Sequence, residues 1–415
     1  MIEQRDIVIA GGGMVGISLA LQLAACLPPE RRITLVEGFA LPPAAPGGRP
    51  DYHPSFDARS TALSYSTRLV YESIGIWPEL SRWLCPIETI HVSNRGRFGS
   101  TLLRAADYDW PALGYVVETA WLGNSLIQQL HRQQRVELLC PAKVIAAEPR
   151  SSGLDLTLEA EQPRQINARL LVVADGAGSG LREALGVSVA EKSYRQQALI
   201  ANVAFARPHE GCAFERFTDE GPLALLPLPG VTGAEHRSAL VWTLPPAQAE
   251  QLQDCDDEEF LGALQDRFGY RLGRLRQVGE RHTYPLALTE STEQVRHSVV
   301  VMGNAAHALH PVAGQGYNLA MRDVAELARV LHEAIRAGEA PGSLSVLQRY
   351  RQRQHNDQSR TIAMSDLLPG LFMNSDPVLG LARDMALAGL DVMAPLKREF
   401  VRYAAGVAAL GETHG

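Results

Sequence analysis

Gly303, Asn304, His307, His310, Pro311, Gly314, Gly316 and Asn318 fall within one stretch, GNAAHALHPVAGQGYNLAMRD at 303–323, directly after the apolar run SVVVM. Three chemistries compete for it. His307 and His310 stand three apart, but Ala306, Ala308 and Leu309 bring no third ligand, so no metal is expected. No Ser, Cys or Thr lies between Gly303 and Asp323, so no nucleophile is offered. Backbone remains. Pro311, Gly314 and Gly316 shape a loop whose amides can approach a flat or anionic ligand, and a helix starting near Asn318 aims its positive end at the same place. Two core histidines above an ordinary loop are the plainer alternative.

Two other stretches share this grammar of apolar strand, glycine turn and helix. DIVIAGGGMVGISLALQLAACL followed by RRITLVEG reads as a βαβ unit, with Gly11, Gly13 and Gly16 in the spacing G-x-G-x-x-G. The first glycine permits a tight turn, the second lets backbone approach a pyrophosphate, and the third lets helix and sheet pack. Glu37 follows Gly16 by 21 residues, where an acid can accept from ribose hydroxyls. That suits FAD or NAD better than NADP. RLLVVADGAGSGLR at 169–182 ends its strand at Asp175-Gly176; taken alone this is equally an ordinary turn.

These turns need a scaffold. A chain of 415 residues predicts two domains of unequal size, interleaved in sequence. With 46% apolar and 20% charged residues and a net charge of -7, it reads as globular and has no basic stripe for nucleic acid. Five cysteines without a CxxC pair argue against a disulfide framework or zinc and fit a reducing cytoplasm. The segment Ile7–Leu27 is uncharged and long enough to span a bilayer. Its glycines and the preceding MIEQRD weigh against a spanning helix or signal peptide.

Taken in order, GGGMVG, ADGAGSGLR and GNAAHALHPVAGQGYNLAMRD resemble the three fingerprints of the single-component FAD-dependent aromatic hydroxylases, the family of para-hydroxybenzoate hydroxylase. The phrases FDARSTALS at 56–64, HVSNRGRFG at 91–99 and AFERFTDEGPLALLPL at 213–228 are most similar to its ubiquinone-biosynthesis branch. The resemblance implies that Gly11, Gly13 and Gly16 hold the FAD pyrophosphate and Glu37 the adenosine ribose. Arg59 would lie near the flavin's phosphates and ribityl chain, and Asp175 and Gly176 match the motif tied to FAD and the reducing nicotinamide. Gly303 and Asn304 would sit at the ribityl and pyrophosphate. Pro311, Gly314, Gln315, Gly316, Tyr317 and Asn318 would line the isoalloxazine by backbone contact. Most of the wider family writes Gly-Asp where this chain writes Gly303-Asn304.

The implied fold is α/β: a discontinuous Rossmann-like FAD-binding domain (1–85, 115–186 and 283–360), an antiparallel-sheet substrate domain (86–114 and 187–282) and a C-terminal helical cap (361–415). The implied reaction is ring hydroxylation of a polyprenylated methoxyphenol with NADPH or NADH and oxygen, through a flavin C4a-hydroperoxide. Implied partners are the lipid substrate, a ubiquinone-biosynthesis complex and peripheral contact with the inner membrane. No base for the phenol proton is evident; His310 and Tyr317 are nearest the flavin loop, and each reads as structural. Two alternatives stand: a flavin hydroxylase or epoxidase acting on another aromatic or isoprenoid compound, and a prenyl-binding protein of related fold without catalysis, like the Rab GDP-dissociation inhibitors.

Overall fold

In the computed structural model the residues described are 3–45, 52–95, 100–309 and 314–373, with short pieces at 398, 401–402 and 405–406. The strand Glu3–Ala10 shows how the core forms. Ile7 and Ile9 point into a cluster with Ile17, Leu21 and Leu23 of the helix Met14–Cys26, while Val8 and Ala10 point into another with Leu154 and Leu156. A strand covered on both faces must be apolar at every position, and DIVIA is so after its first residue. The segment weighed as a membrane span is therefore strand, glycine turn and helix. Among the described residues no helix is long and apolar enough to cross a membrane.

The first sheet runs, in spatial order, Val295–Arg296, Val299–Val301, Arg164–Val173, Glu3–Ala10, Ile33–Val36 and Val136–Leu139. All neighbours after the first pair are parallel. Helices Met14–Cys26, Thr119–Arg132 and Gln315–Arg336 cover one face, and the antiparallel hairpin Ala142–Arg150 with Gly153–Ala160 covers the other.

A nine-stranded sheet forms the second layer system, antiparallel except where Cys212–Phe217 runs parallel to Thr89–Asn94. Helices Pro246–Asp254 and Asp257–Phe268 pack on its outer face, with Phe260 and Phe268 against Trp242 and Phe214. A three-stranded sheet, Ser60–Ser64, Gly114–Glu118 and Leu84–Ile87, stands between the two.

The two sheets cut the expected boundaries in places. His282–Ser291 pairs along Val189–Phe205 and His307–Ala308 adds a further edge, so the nine-stranded sheet continues past residue 282. The helix Leu344–Met373 runs through residue 360. Most of the expected cap beyond residue 373 lies outside the described residues.

Candidate flavin and substrate site

Three parallel strands end side by side: the amide of Ala174 donates to the Ala10 carbonyl at 2.8 Å, and that of Met302 to the Val173 carbonyl at 2.9 Å. The turns that follow, Gly11–Gly13, Asp175-Gly176 and Gly303-Asn304, thereby meet at the carboxyl edge of the sheet, where ligands of open α/β folds bind. They line a cavity of about 1040 Å³ that also takes in Glu37, Tyr317 and the hairpin residues Lys143 and Glu159.

Each glycine of the first turn has its own reason. Gly11 has φ +112°, and a Cβ there would lie 2.4 Å from the Ala174 carbonyl oxygen. At Gly16 it would lie 1.9 Å from the carbonyl oxygen of Gly11, so this residue packs the helix onto the turn and stays outside the cavity lining. Gly13 differs: its Cβ would meet nothing within 4 Å. Gly13 also caps the helix Met14–Cys26 without a side-chain bond, and no acid occupies the first turn, so the helix presents free amides and uncompensated positive dipole to the cavity.

Glu37 is fixed by backbone. One carboxylate oxygen accepts from the Gly12 amide at 2.5 Å and the other from the Phe39 amide at 2.8 Å. Each oxygen keeps a lone pair for a ribose hydroxyl. Across the cavity, Gly303 sits at φ +62° and Asn304 next to it is exposed.

A second, mostly apolar cavity of about 280 Å³ lies between the nine-stranded sheet and the strand Ser60–Ser64. Ile200, Ala224, Leu226 and Val241 form its sheet wall; Gly314, Gln315 and Asn318 form part of the opposite one. Thr61 lines both cavities. Tyr317 faces the larger while Gly314, Gln315 and Asn318 face the smaller, so the start of the long helix straddles their junction. Gly316 lines neither.

Asn318 holds that junction in shape. Its amide oxygen accepts from the Ser64 amide at 2.7 Å and the Thr67 hydroxyl at 2.8 Å; its nitrogen donates to the carbonyls of Ala62 at 2.9 Å and Gly314 at 2.8 Å. All four side-chain hydrogen-bonding positions are used. Tyr317 shares a hydroxyl contact with Tyr71, and burial, then the Tyr71 phenol, pushes its pKa well above the usual 10.

Other expected residues fall elsewhere. Arg59 is exposed and lines neither cavity, although it directly precedes the wall strand Ser60–Ser64. Pro311 and His310 lie outside the described residues. His307 is buried with its imidazole 3.2 Å from one Asp323 carboxylate oxygen, while the other oxygen accepts from Gln354 and Gln358, and it faces neither cavity. Among the described residues no group of three or more potential metal ligands occurs, and the cysteines are free.

Sequence reasoning passed over Glu215. The strand Cys212–Phe217 carries Phe214 to the outer face, against Phe268, while Ala213 packs on the inner face with Ile87 and Val116. Glu215 shares the inward phase with Ala213 and lines the apolar cavity. Burial pushes its carboxyl from the usual range up to about 7. A charge on the buried phase of a strand was the available signal.

Two cavities with a shared wall, one fit for a dinucleotide and one for an apolar ring, are the arrangement of a flavoprotein monooxygenase. FAD fits the larger: Gly13 leaves the space a pyrophosphate needs, the helix amides face that space, and Glu37 is held where the ribose would lie. The comparisons agree. A family model described as FAD binding domain matches residues 142–365. A ubiquinone hydroxylase of Rhodospirillum rubrum is 36% identical over 406 residues, 98% of this chain and 90% of that one. The 3-demethoxyubiquinol 3-hydroxylase of Escherichia coli is 31% identical over 98% of this chain and 99% of its own. The crystal structure of p-nitrophenol 4-monooxygenase from Pseudomonas putida superposes with a TM-score of 0.73 at 17% identity, covering 97% of this chain and 99% of that one. The chain belongs to the FAD-dependent aromatic monooxygenase family.

Proposed function

We propose that the protein hydroxylates the ring of a polyprenylated methoxyphenol on the route to ubiquinone. The observation that carries this is the apolar chamber of about 280 Å³ that shares the wall residue Thr61 with the FAD cavity. The relatives' names supply the substrate class. In net terms phenol, oxygen, reduced nicotinamide and a proton yield the hydroxylated ring, water and oxidised nicotinamide. When bound, FAD would supply the redox chemistry between reduced nicotinamide and oxygen.

The chain's own residues bind and orient. Gly11, Gly13 and the first amides of Met14–Cys26 would hold the pyrophosphate, with Gly16 packing the helix behind them. Glu37 would hold the adenosine ribose, Asp175, Gly176, Gly303 and Asn304 would lie along the rest of the cofactor, and Arg59 would reach its phosphates from outside. Gly314, Gln315 and Tyr317, with Asn318 bracing them, would set the flavin edge against the substrate chamber. Ile200, Leu226 and Val241 exclude water from that chamber, which protects the oxygenating species from wasteful release of peroxide. The flavin domain is read as 1–85, 115–186 and 292–360, and the substrate domain as 86–114 and 187–291 with His307–Ala308 added at its edge. A lipid substrate requires delivery, so peripheral contact with the cytoplasmic side of the inner membrane, and with other proteins of the pathway, follows from this reading.

Deleting the gene and measuring quinone precursors by mass spectrometry tests it. A polyprenylated methoxyphenol is expected to accumulate and to disappear on complementation; normal quinone levels would remove the proposal.

A further inference from the structure

We propose that Glu215 is the catalytic base of this site, accepting the substrate's phenolic proton inside the apolar chamber. The inference rests on the phenol-hydroxylase reading above and adds the proton acceptor that the sequence left unnamed. Among the described residues, Glu215 is the only ionisable side chain lining this cavity. It sits on the sheet wall, with Val92 and Ala224 as its register neighbours, across from the wall that contains Gly314 and Gln315. A phenol seated between the sheet and the flavin edge is therefore flanked by a single carboxylate.

No hydrogen bond or ion pair holds that carboxylate among the described residues. The cations near it in sequence turn away. His91 packs on Phe214 at the outer face, where Arg271 bonds its imidazole and Arg216 feels the charge of Arg271 and Arg95. The acids that neutralise other parts of this region, such as Glu220 with Arg267, are engaged elsewhere. A carboxyl that faces an apolar cavity without a partner is costly, and a wall that needed only apolar packing there would place a leucine. Desolvation also brings its pKa close to neutrality, where a base both exists in its ionised form and holds a proton once it takes one.

The step is balanced. The phenol O–H bond breaks, its proton goes to a Glu215 carboxylate oxygen, and the electron pair stays on the phenol oxygen, raising electron density at the ring carbon to be attacked. After that carbon has gained its oxygen, its hydrogen leaves as a proton to solvent water and the ring regains aromaticity, while Glu215 returns its own proton to the ring oxygen.

Glu215→Gln removes the base and keeps the shape. With the FAD-loaded protein, a geranylated methoxyphenol and reduced nicotinamide, the variant is expected to keep wild-type flavin content while hydroxylated product falls on the order of 100-fold. Nicotinamide oxidation should persist as peroxide release, the rise of kcat with pH through neutrality should vanish, and Glu215→Asp should restore part of it. A wild-type rate and pH profile in the Gln variant would overturn the proposal. If the wild-type protein itself forms no product, the phenol-hydroxylase reading fails, and infrared difference spectra then decide Glu215. A carboxyl band absent from the Gln variant and perturbed by the same phenol supports the assignment; a band that the phenol leaves unmoved refutes it.

Discussion

Arg237 and Glu118 form an ion pair 2.5 Å apart with 0% and 2% of their side chains exposed. It ties the strand Arg237–Leu244 of the nine-stranded sheet to Gly114–Glu118 of the three-stranded one. Arg237 also donates to the carbonyls of Pro229 at 2.7 Å and Ser55 at 2.5 Å, and the Tyr52 hydroxyl reaches the other Glu118 oxygen. The pair thus fixes the segment leading to Arg59 and Thr61, and with it the shared wall of the two cavities.

Removing one partner strands the other as a buried charge. Glu118→Ala is expected to destabilise the fold by about 3–5 kcal/mol, whereas replacing both residues by methionine should cost less than that single change. Urea unfolding followed by circular dichroism measures both; equal costs for the single and double variants would contradict the buried-pair account.

The first turn separates packing from binding. Gly16→Ala puts a methyl 1.9 Å from the Gly11 carbonyl oxygen, so loss of folded protein is expected. Gly13→Ala adds a methyl to open space and should leave the apoprotein's melting temperature unchanged while weakening FAD at least about tenfold, or about 1.4 kcal/mol. Flavin fluorescence titration against apoprotein reads this directly.

Asn304 is exposed toward the FAD cavity on the turn Gly303–Ala305. A neutral side chain there favours an electron-rich reduced flavin, which a fixed anion would oppose. Asn304→Asp is therefore expected to lower the two-electron midpoint potential by roughly 30 mV, equivalent to about 1.4 kcal/mol. An unchanged or higher potential in a spectroelectrochemical titration would sink the idea.

Asn318→Ala removes the side-chain donor to the Ala62 and Gly314 carbonyls and the acceptor for the Ser64 amide at the cavity junction. A cost of about 1–3 kcal/mol for each group left unsatisfied is expected, with FAD affinity falling alongside stability. Asn318→Asp should fail similarly despite its retained oxygens, since both donated bonds are lost. Melting with and without added FAD distinguishes loss of the fold from loss of the cofactor.

Much of this arrangement was legible in the sequence because glycines are local statements. The spacing of Gly11, Gly13 and Gly16 marked the turn by itself, although the crowding at Gly11 comes from the distant Ala174, and Glu37 followed from the length of one βαβ unit. The layout of the second sheet was less legible. His282–Ser291 continues the sheet because it pairs with Val189–Phe205, a partner almost a hundred residues earlier that no local pattern announces. Arg59 illustrates the limit of motif transfer: its position beside a cavity wall could be carried over, but the direction of its exposed side chain could not. Glu215 stood in a quoted phrase and was missed, because a charge in a strand reads as solvent-facing until the opposite wall is known.

Gly11 and Gly303 line one cradle, yet Gly303 is synthesised well after Gly11, with most of the two domains between them in sequence. A ribosome-bound chain that has reached Val173 holds two of the three parallel strand ends and lacks the third. Cofactor loading is consequently expected only after the strand Val299–Val301 and its turn have been made. FAD bound in this cavity would hold segments distant in sequence together and resist their separation by mass action, so flavin supply is expected to set how long the protein survives proteolysis in the cell.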